Sequence, residues 1–152
     1  MSVAFRRESD DEHLEPRFEL PIPPGPNLVT ARGRTLIDER VAALEASFAA
    51  AVDEEVRKAV ARDLRYWKTR RATAIETAAR ADGVVGFGTT VTFALDGRER
   101  RVTIVGDDEA DPAAGLLALS APLARALLGA SEGELLAFND REDAIEVLRT
   151  GD

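Results

Sequence analysis

Between Thr30 and Ala81 apolar residues recur at helical spacing, and from Phe87 onward they gather into short β-branched runs. Ile37, Val41, Leu44, Phe48 and Val52 step by four, three, four and four residues, which marks one face of a helix. The stripe resumes at Val56, Val60, Leu64 and Trp67, then passes Arg71 to reach Ala74 or Ile75. Thr30 is placed to cap the first segment and Asp53 the second, with Glu54 and Glu55 in its first turn. Two stripes that each bury one face predict an antiparallel α-hairpin over residues 30–81, its tip at residues 50–55. The alternative is one unbroken helix whose stripe a second chain covers.

Ala81, Asp82 and Gly83 end the helical pattern. FGTTVTFAL (residues 87–95) reads as a strand, and Asp96-Gly97 as a type I′ turn into RRVTIVG (100–106). After the polar loop DDEADPAAG comes a short strand, LLALS (116–120). Ser120 then reads as the cap of a helix with Pro122 in its first turn and Gly129 at its C-terminus. Residues 134–138 and 144–148 supply two more strands around the turn-like NDRED. The order β-β-β-α-β-β over residues 84–150 makes a small sheet domain, so the fold class is α+β. Residues 1–29 read as a polar, proline-rich tail, disordered to about Pro26 or lying extended as a strap.

Composition narrows the chemistry. The 152 residues include no cysteine, which excludes disulfides and thiolate zinc sites, and one histidine, His13, without a partner for metal or triad chemistry. No signal-peptide pattern opens the chain, and LLALSAPLARALLG is too short to span a bilayer, so a cytoplasmic protein without membrane contact is expected. The net charge of -8 is unevenly spread: residues 31–80 hold eleven bases against eight acids, while residues 81–152 hold six against fourteen. Such asymmetry points to an anionic partner for the middle segment.

Three clusters carry candidate chemistry. Asp53, Glu54 and Glu55 either hold a metal ion or simply start a helix. Behind them Arg57, Lys58, Arg62, Arg65 and Lys68 form a basic stripe, read either as a track for phosphates or as solvated helix flanks. Asp107, Asp108, Glu109 and Asp111 crowd one loop, but the glycine and terminal glutamate of an EF-hand are missing. No resident metal or cofactor is expected.

IVGDDEADPAAGLLALSAPLARALLG (104–129) resembles the C-terminal domain of the Gre family of bacterial transcript-cleavage factors, with its I-V-G-x-D-E-A-D and S-P-x-A-R-A-L-x-G runs. FGTTV (87–91) is similar to the F-G-x-x-V that opens that domain, and VTARG (29–33) to the family's start. The resemblance implies an FKBP-like sheet domain that docks on RNA polymerase, and a coiled-coil hairpin that enters the polymerase secondary channel. Two carboxylates at a Gre tip help hold the second magnesium ion there. It implies a docking edge at Asp107, Asp108, Glu109, Asp111, Ser120, Pro122 and Leu123. If DLRY (63–66) matches the family's N-A-E-Y, the magnesium-binding carboxylates fall on Ala59 and Arg62, neither of which binds magnesium. The arms are also shorter than the family norm. Expected, therefore, is a monomeric polymerase-binding regulator, not itself an enzyme, that acts at the secondary channel without strong cleavage stimulation and contacts nascent RNA through its basic stripe. Alternatives are a cleavage factor using Asp53 with Glu54 or Glu55 around the polymerase's magnesium, and a helical adapter or dimerisation protein.

Overall fold

The computed structural model describes residues 19–152. Two helices, α1 (Ala31–Ala50) and α2 (Glu54–Thr73), are followed by a five-stranded mixed sheet with one short helix. The break at residues 51–53 settles the choice between a hairpin and one long helix in favour of the hairpin. Thr30 caps α1, its Oγ1 accepting the Gly33 N–H at 3.0 Å, and Asp53 Oδ1 accepts the Glu55 N–H at 2.8 Å to start α2. The helices run antiparallel: the Arg57 guanidinium sits 5.7 Å from the Phe48 ring, and that of Arg40 5.4 Å from the Trp67 ring.

α2 stops at Thr73, eight residues before Ala81, where the periodicity had placed the end of the hairpin. Ile75–Glu76 forms strand β2 and pairs in parallel with β1 (Leu28–Val29). Buried Asn27 ties this pair to the helix end, donating from Nδ2 to Thr73 Oγ1 at 3.2 Å while its carbonyl accepts the Ile75 N–H at 2.9 Å. The alternation Thr73, Ile75, Thr77 of β-branched residues was the strand signal here. Ile75 had instead looked like the last rung of the helical stripe.

The sheet runs in the order β5-β4-β3-β7-β6, comprising β3 (Thr90–Leu95), β4 (Arg98–Val105), β5 (Leu116–Ala118), β6 (Leu135–Phe138) and β7 (Arg141–Thr150). β4 and β5 pair in parallel, and the other neighbours are antiparallel. Asp96 (φ 53) and Gly97 (φ 74) make the expected primed turn. The NDRED segment behaves differently. Only Asn139 and Asp140, both left-handed, form the turn, and β7 begins at Arg141 because pairing with β6 overrides the low strand propensity of its acids. Helix α3 (Pro122–Leu127) buries Leu123, Ala124 and Leu127 on one face of the sheet, against a core that includes Phe93, Ile104, Ile145 and Val147.

The linker after β2 lies close over the FGTTV segment. Gly88 (φ +80) has the Ala79 backbone where a Cβ would come within 3.0 Å, so a side chain there is excluded twice over. Arg80 then donates a forked pair of bonds to Asp82, whose Oδ1 also accepts the Val84 N–H at 3.2 Å. The Arg80 guanidinium, and after it the Val84 N–H, pull Asp82 down from its ordinary 3.8 to about 2. A carboxylate with a depressed pKa stabilises the fold fully above its unfolded value and loses that contribution as pH falls through the folded one. We expect Asp82→Asn to lower stability in urea unfolding at pH 7 and to match the wild type near pH 2. An NMR titration of the Asp82 carboxyl should report about 2.

Candidate functional site

The root of α1 is fixed by the loop after β4. Glu109, only 4% exposed at its side chain, accepts a hydrogen bond from Thr30 Oγ1 at 2.5 Å on one oxygen and from Arg32 Nη1 at 3.0 Å on the other. Two glycines make room. A Cβ on Gly33 would stand 2.8 Å from Glu109 Oε1, and one on Gly106 would stand 2.4 Å from the Leu28 carbonyl oxygen. Val29, Gly33, Ile37, Gly106, Asp108 and Glu109 close around a crevice with no room for a water-sized sphere. VTARG and IVGDDE, far apart in sequence, are thus the two halves of one joint.

Glu109 and Leu123 therefore leave the set of docking residues expected from the resemblance. Glu109 is buried in the joint, and Leu123 is 9% exposed and packs in the core. Asp107, Asp108, Asp111, Ser120 and Pro122 keep accessible surface. Ser120 does not cap α3, which starts from Ala121 without a side-chain cap. Its hydroxyl instead donates to Asp107 Oδ1 at 2.5 Å, tying the acidic loop to the turn before α3.

At the hairpin tip Asp53, Glu54 and Glu55 are all exposed. Asp53 is committed to its cap, and Glu55 Oε1 lies 4.0 Å from Lys58 Nζ. Among the described residues no group of three His, Cys, Asp or Glu is gathered to hold a metal ion. What the tip presents instead is apolar: Val52 is 96% exposed and Val56 51%. Helical spacing had placed both in the buried seam.

The basic stripe divides. Arg57 turns back to the tip, where Nη2 donates to the Ala51 carbonyl at 2.9 Å, so it closes the hairpin and leaves the stripe. Lys58, Arg62 and Arg65 line a groove of about 670 Å³ together with Ala59, Ala61, Glu19 and Glu55. Lys68 and Arg65 border a second groove with Glu45, Phe48, Ala61 and Leu64. His13 lies outside the described residues. No helix of the described residues is long and apolar enough to cross a membrane.

Residues 80–148 match the profile of the family described as "Transcription elongation factor, GreA/GreB, C-term". This segment thus resembles the C-terminal domain of GreA/GreB factors. Curated relatives are similarly partial. The transcription elongation factor GreA of Listeria welshimeri is 46% identical over 67 residues, 43% of this chain and 42% of its own length. That of Chelativorans sp. is 40% identical over 83 residues, 52% and 53% respectively. The chain thus spans about half or less of these relatives. Among solved structures, Gfh1 of Thermus thermophilus has a TM-score of 0.40 at 15% identity, covering 82% of this chain and 98% of its own. GreA/GreB from Nitrosomonas europaea has 0.41 at 17%, covering 82% and 98%.

Within residues 80–148, sequence reasoning assigned Glu109 to a surface. The missed signal was its pairing with the T-x-R-G run at residues 30–33, a buried acid's two donors and the glycine beside them. Removing that acid strands the Thr30 hydroxyl in a closed site, at a cost of about 1–3 kcal/mol. Glu109→Ala is expected to lower the urea midpoint accordingly, with Glu109→Gln losing less because the amide oxygen still accepts. Gly106→Ala should also destabilise, by about 1–3 kcal/mol, because the Leu28 backbone must move. Unchanged midpoints for both would show that the joint carries no stability.

Proposed function

We propose that the protein is a polymerase-binding transcription factor of the Gre type that works at the secondary channel of RNA polymerase without strongly stimulating RNA cleavage. The observation that carries this reading is the match of residues 80–148 to the GreA/GreB C-terminal domain, in a segment joined through Thr30, Arg32 and Glu109 to the root of a helical hairpin. The exposed face at Asp107, Asp108, Asp111, Ser120 and Pro122 docks on the polymerase, with the acids meeting a basic surface. The hairpin enters the channel, and Lys58, Arg62 and Arg65 meet anionic groups there, nascent RNA among them. Cleavage support is weak because a divalent ion needs converging oxygens, whereas Asp53 serves a cap and Glu55 lies beside Lys58. The protein is a modulator of another enzyme, active as a monomer in the cytoplasm.

The test uses stalled, backtracked polymerase complexes in magnesium. The wild type should bind core polymerase, leave RNA shortening at its intrinsic rate, and slow the cleavage stimulated by an active GreA through competition for the site. A variant with Asp53, Glu54 and Glu55 all changed to Ala should behave alike. Asp111→Lys should weaken polymerase binding about tenfold, as expected when a charge at a complementary interface is reversed. Acid-dependent RNA shortening would replace this reading with an active cleavage factor, and failure to bind polymerase would leave a helical adapter.

A further inference from the structure

The groove on α2 already holds an anion, and it comes from this chain. Arg65 makes a two-point contact with Glu19, Nε donating to Oε2 at 3.2 Å and Nη2 to Oε1. Glu19 belongs to the segment before β1 and is separated from Arg65 by 46 positions, so the contact is no by-product of helix geometry. Lys58, Arg62 and Arg65 recur at i, i+4 and i+7 on one face, where three cations spread over about 10 Å along the axis, in steps of about 6 and 4.5 Å, oppose successive anions of an extended chain. Arg62 has capacity to spare. Its Nε is buried without a hydrogen-bond partner among the described residues, because Asp63 Oδ1 at 3.7 Å is too distant. The groove, of about 670 Å³, has room for a bulkier group than a carboxylate.

We infer that Glu19 is a built-in competitor for this groove, its carboxylate filling the position that a phosphate of an RNA strand or a free polyphosphate takes when bound. The inference rests on the reading of the basic face given under Proposed function and adds its regulation. A guanidinium that takes a carboxylate through two parallel N–H bonds takes a phosphate by the same fork. The Arg65 hydrogen bond, and then the charges of Arg65 and Arg62, hold Glu19 below the usual carboxylate range, so the competitor is ionised wherever the protein functions. The contact is exposed on both sides, with side chains 58% and 52% accessible, and so is weak enough to be displaced. A polyanion bearing several phosphates wins by adding contacts to Arg62 and Lys58, whose own acids, Asp63 at 3.7 Å and Glu55 at 4.0 Å, hold them only at long range.

The test measures binding of a fluorescein-labelled oligouridine dodecamer to the full chain by anisotropy, at low and moderate salt. Glu19→Gln should tighten binding about two- to fivefold at low salt, the gain expected from removing one exposed competing pair. Glu142→Gln, an equal change of net charge on exposed β7, should give less. In an Arg65→Gln background the Glu19→Gln gain should vanish. Equal effects of Glu19→Gln and Glu142→Gln overturn the competitor role while leaving the groove as the phosphate site. Binding that ignores joint replacement of Lys58 and Arg62 by Gln, or no binding by any variant, overturns the groove itself. Displacement of the labelled RNA by inorganic tripolyphosphate identifies phosphate as sufficient, whereas no displacement assigns the groove to RNA.

Discussion

A buried carboxylate holds this architecture together. Glu109 is removed from water on the loop after β4, a position that strongly disfavours a charge unless hydrogen bonds replace the lost hydration. Thr30 and Arg32 supply them from the first turn of α1, and the Thr30 hydroxyl serves twice, accepting the Gly33 N–H as a helix cap while donating to Glu109. Glycine at positions 33 and 106 is required because the helix root and the loop come closer than any Cβ allows. The parallel pairing of β1 with β2 closes the same region from the other side, so both ends of the hairpin are anchored at its base.

Away from that base the hairpin changes character. Ile37 and Val41 are fully buried, whereas Phe48 is 38% exposed and Val52 almost wholly so, although all belong to one stripe. Toward the tip, two helices with alanine at many facing positions have little with which to cover an aromatic or a β-branched side chain. The tip is held by polar devices: the Asp53 cap, the Arg57 bond to the Ala51 carbonyl, and the Arg57 guanidinium over Phe48. Of the three consecutive tip acids, Asp53 thus serves the start of α2, and Glu55 lies beside Lys58.

The charge asymmetry of the chain acquires a spatial meaning. Bases on α2 line a groove, while the acids of the sheet domain divide between a buried joint and an exposed loop. Arg57, Lys58, Arg62 and Arg65 are close in sequence, yet one secures a turn and three line a groove. Charge type predicted that an anion would be met, and side-chain direction decided which bases meet it.

Local signals were legible wherever their physics is local. Caps at Thr30 and Asp53 and the Asp96-Gly97 turn each depend on a few neighbouring residues and were read correctly from the sequence alone, whereas the 3.6-residue stripe gave the two helices but not the exposure of Val52 and Val56. The end of α2 at Thr73 and the burial of Glu109 were not, because each depends on partners far along the chain, Asn27 and Leu28 for the one and Thr30 and Arg32 for the other, while the early start of β7 at Arg141 follows from pairing with Phe138 that overrides its acids' low strand propensity. The sequence by itself determined the two long helices, the order of the five sheet strands and their short helix, and the resemblance of the sheet domain to GreA/GreB, since propensity, capping and motif are properties of short segments. Only the tertiary structure decided which charged residues face a partner and which face the protein's own interior, because desolvation belongs to a place in the fold and not to a residue type.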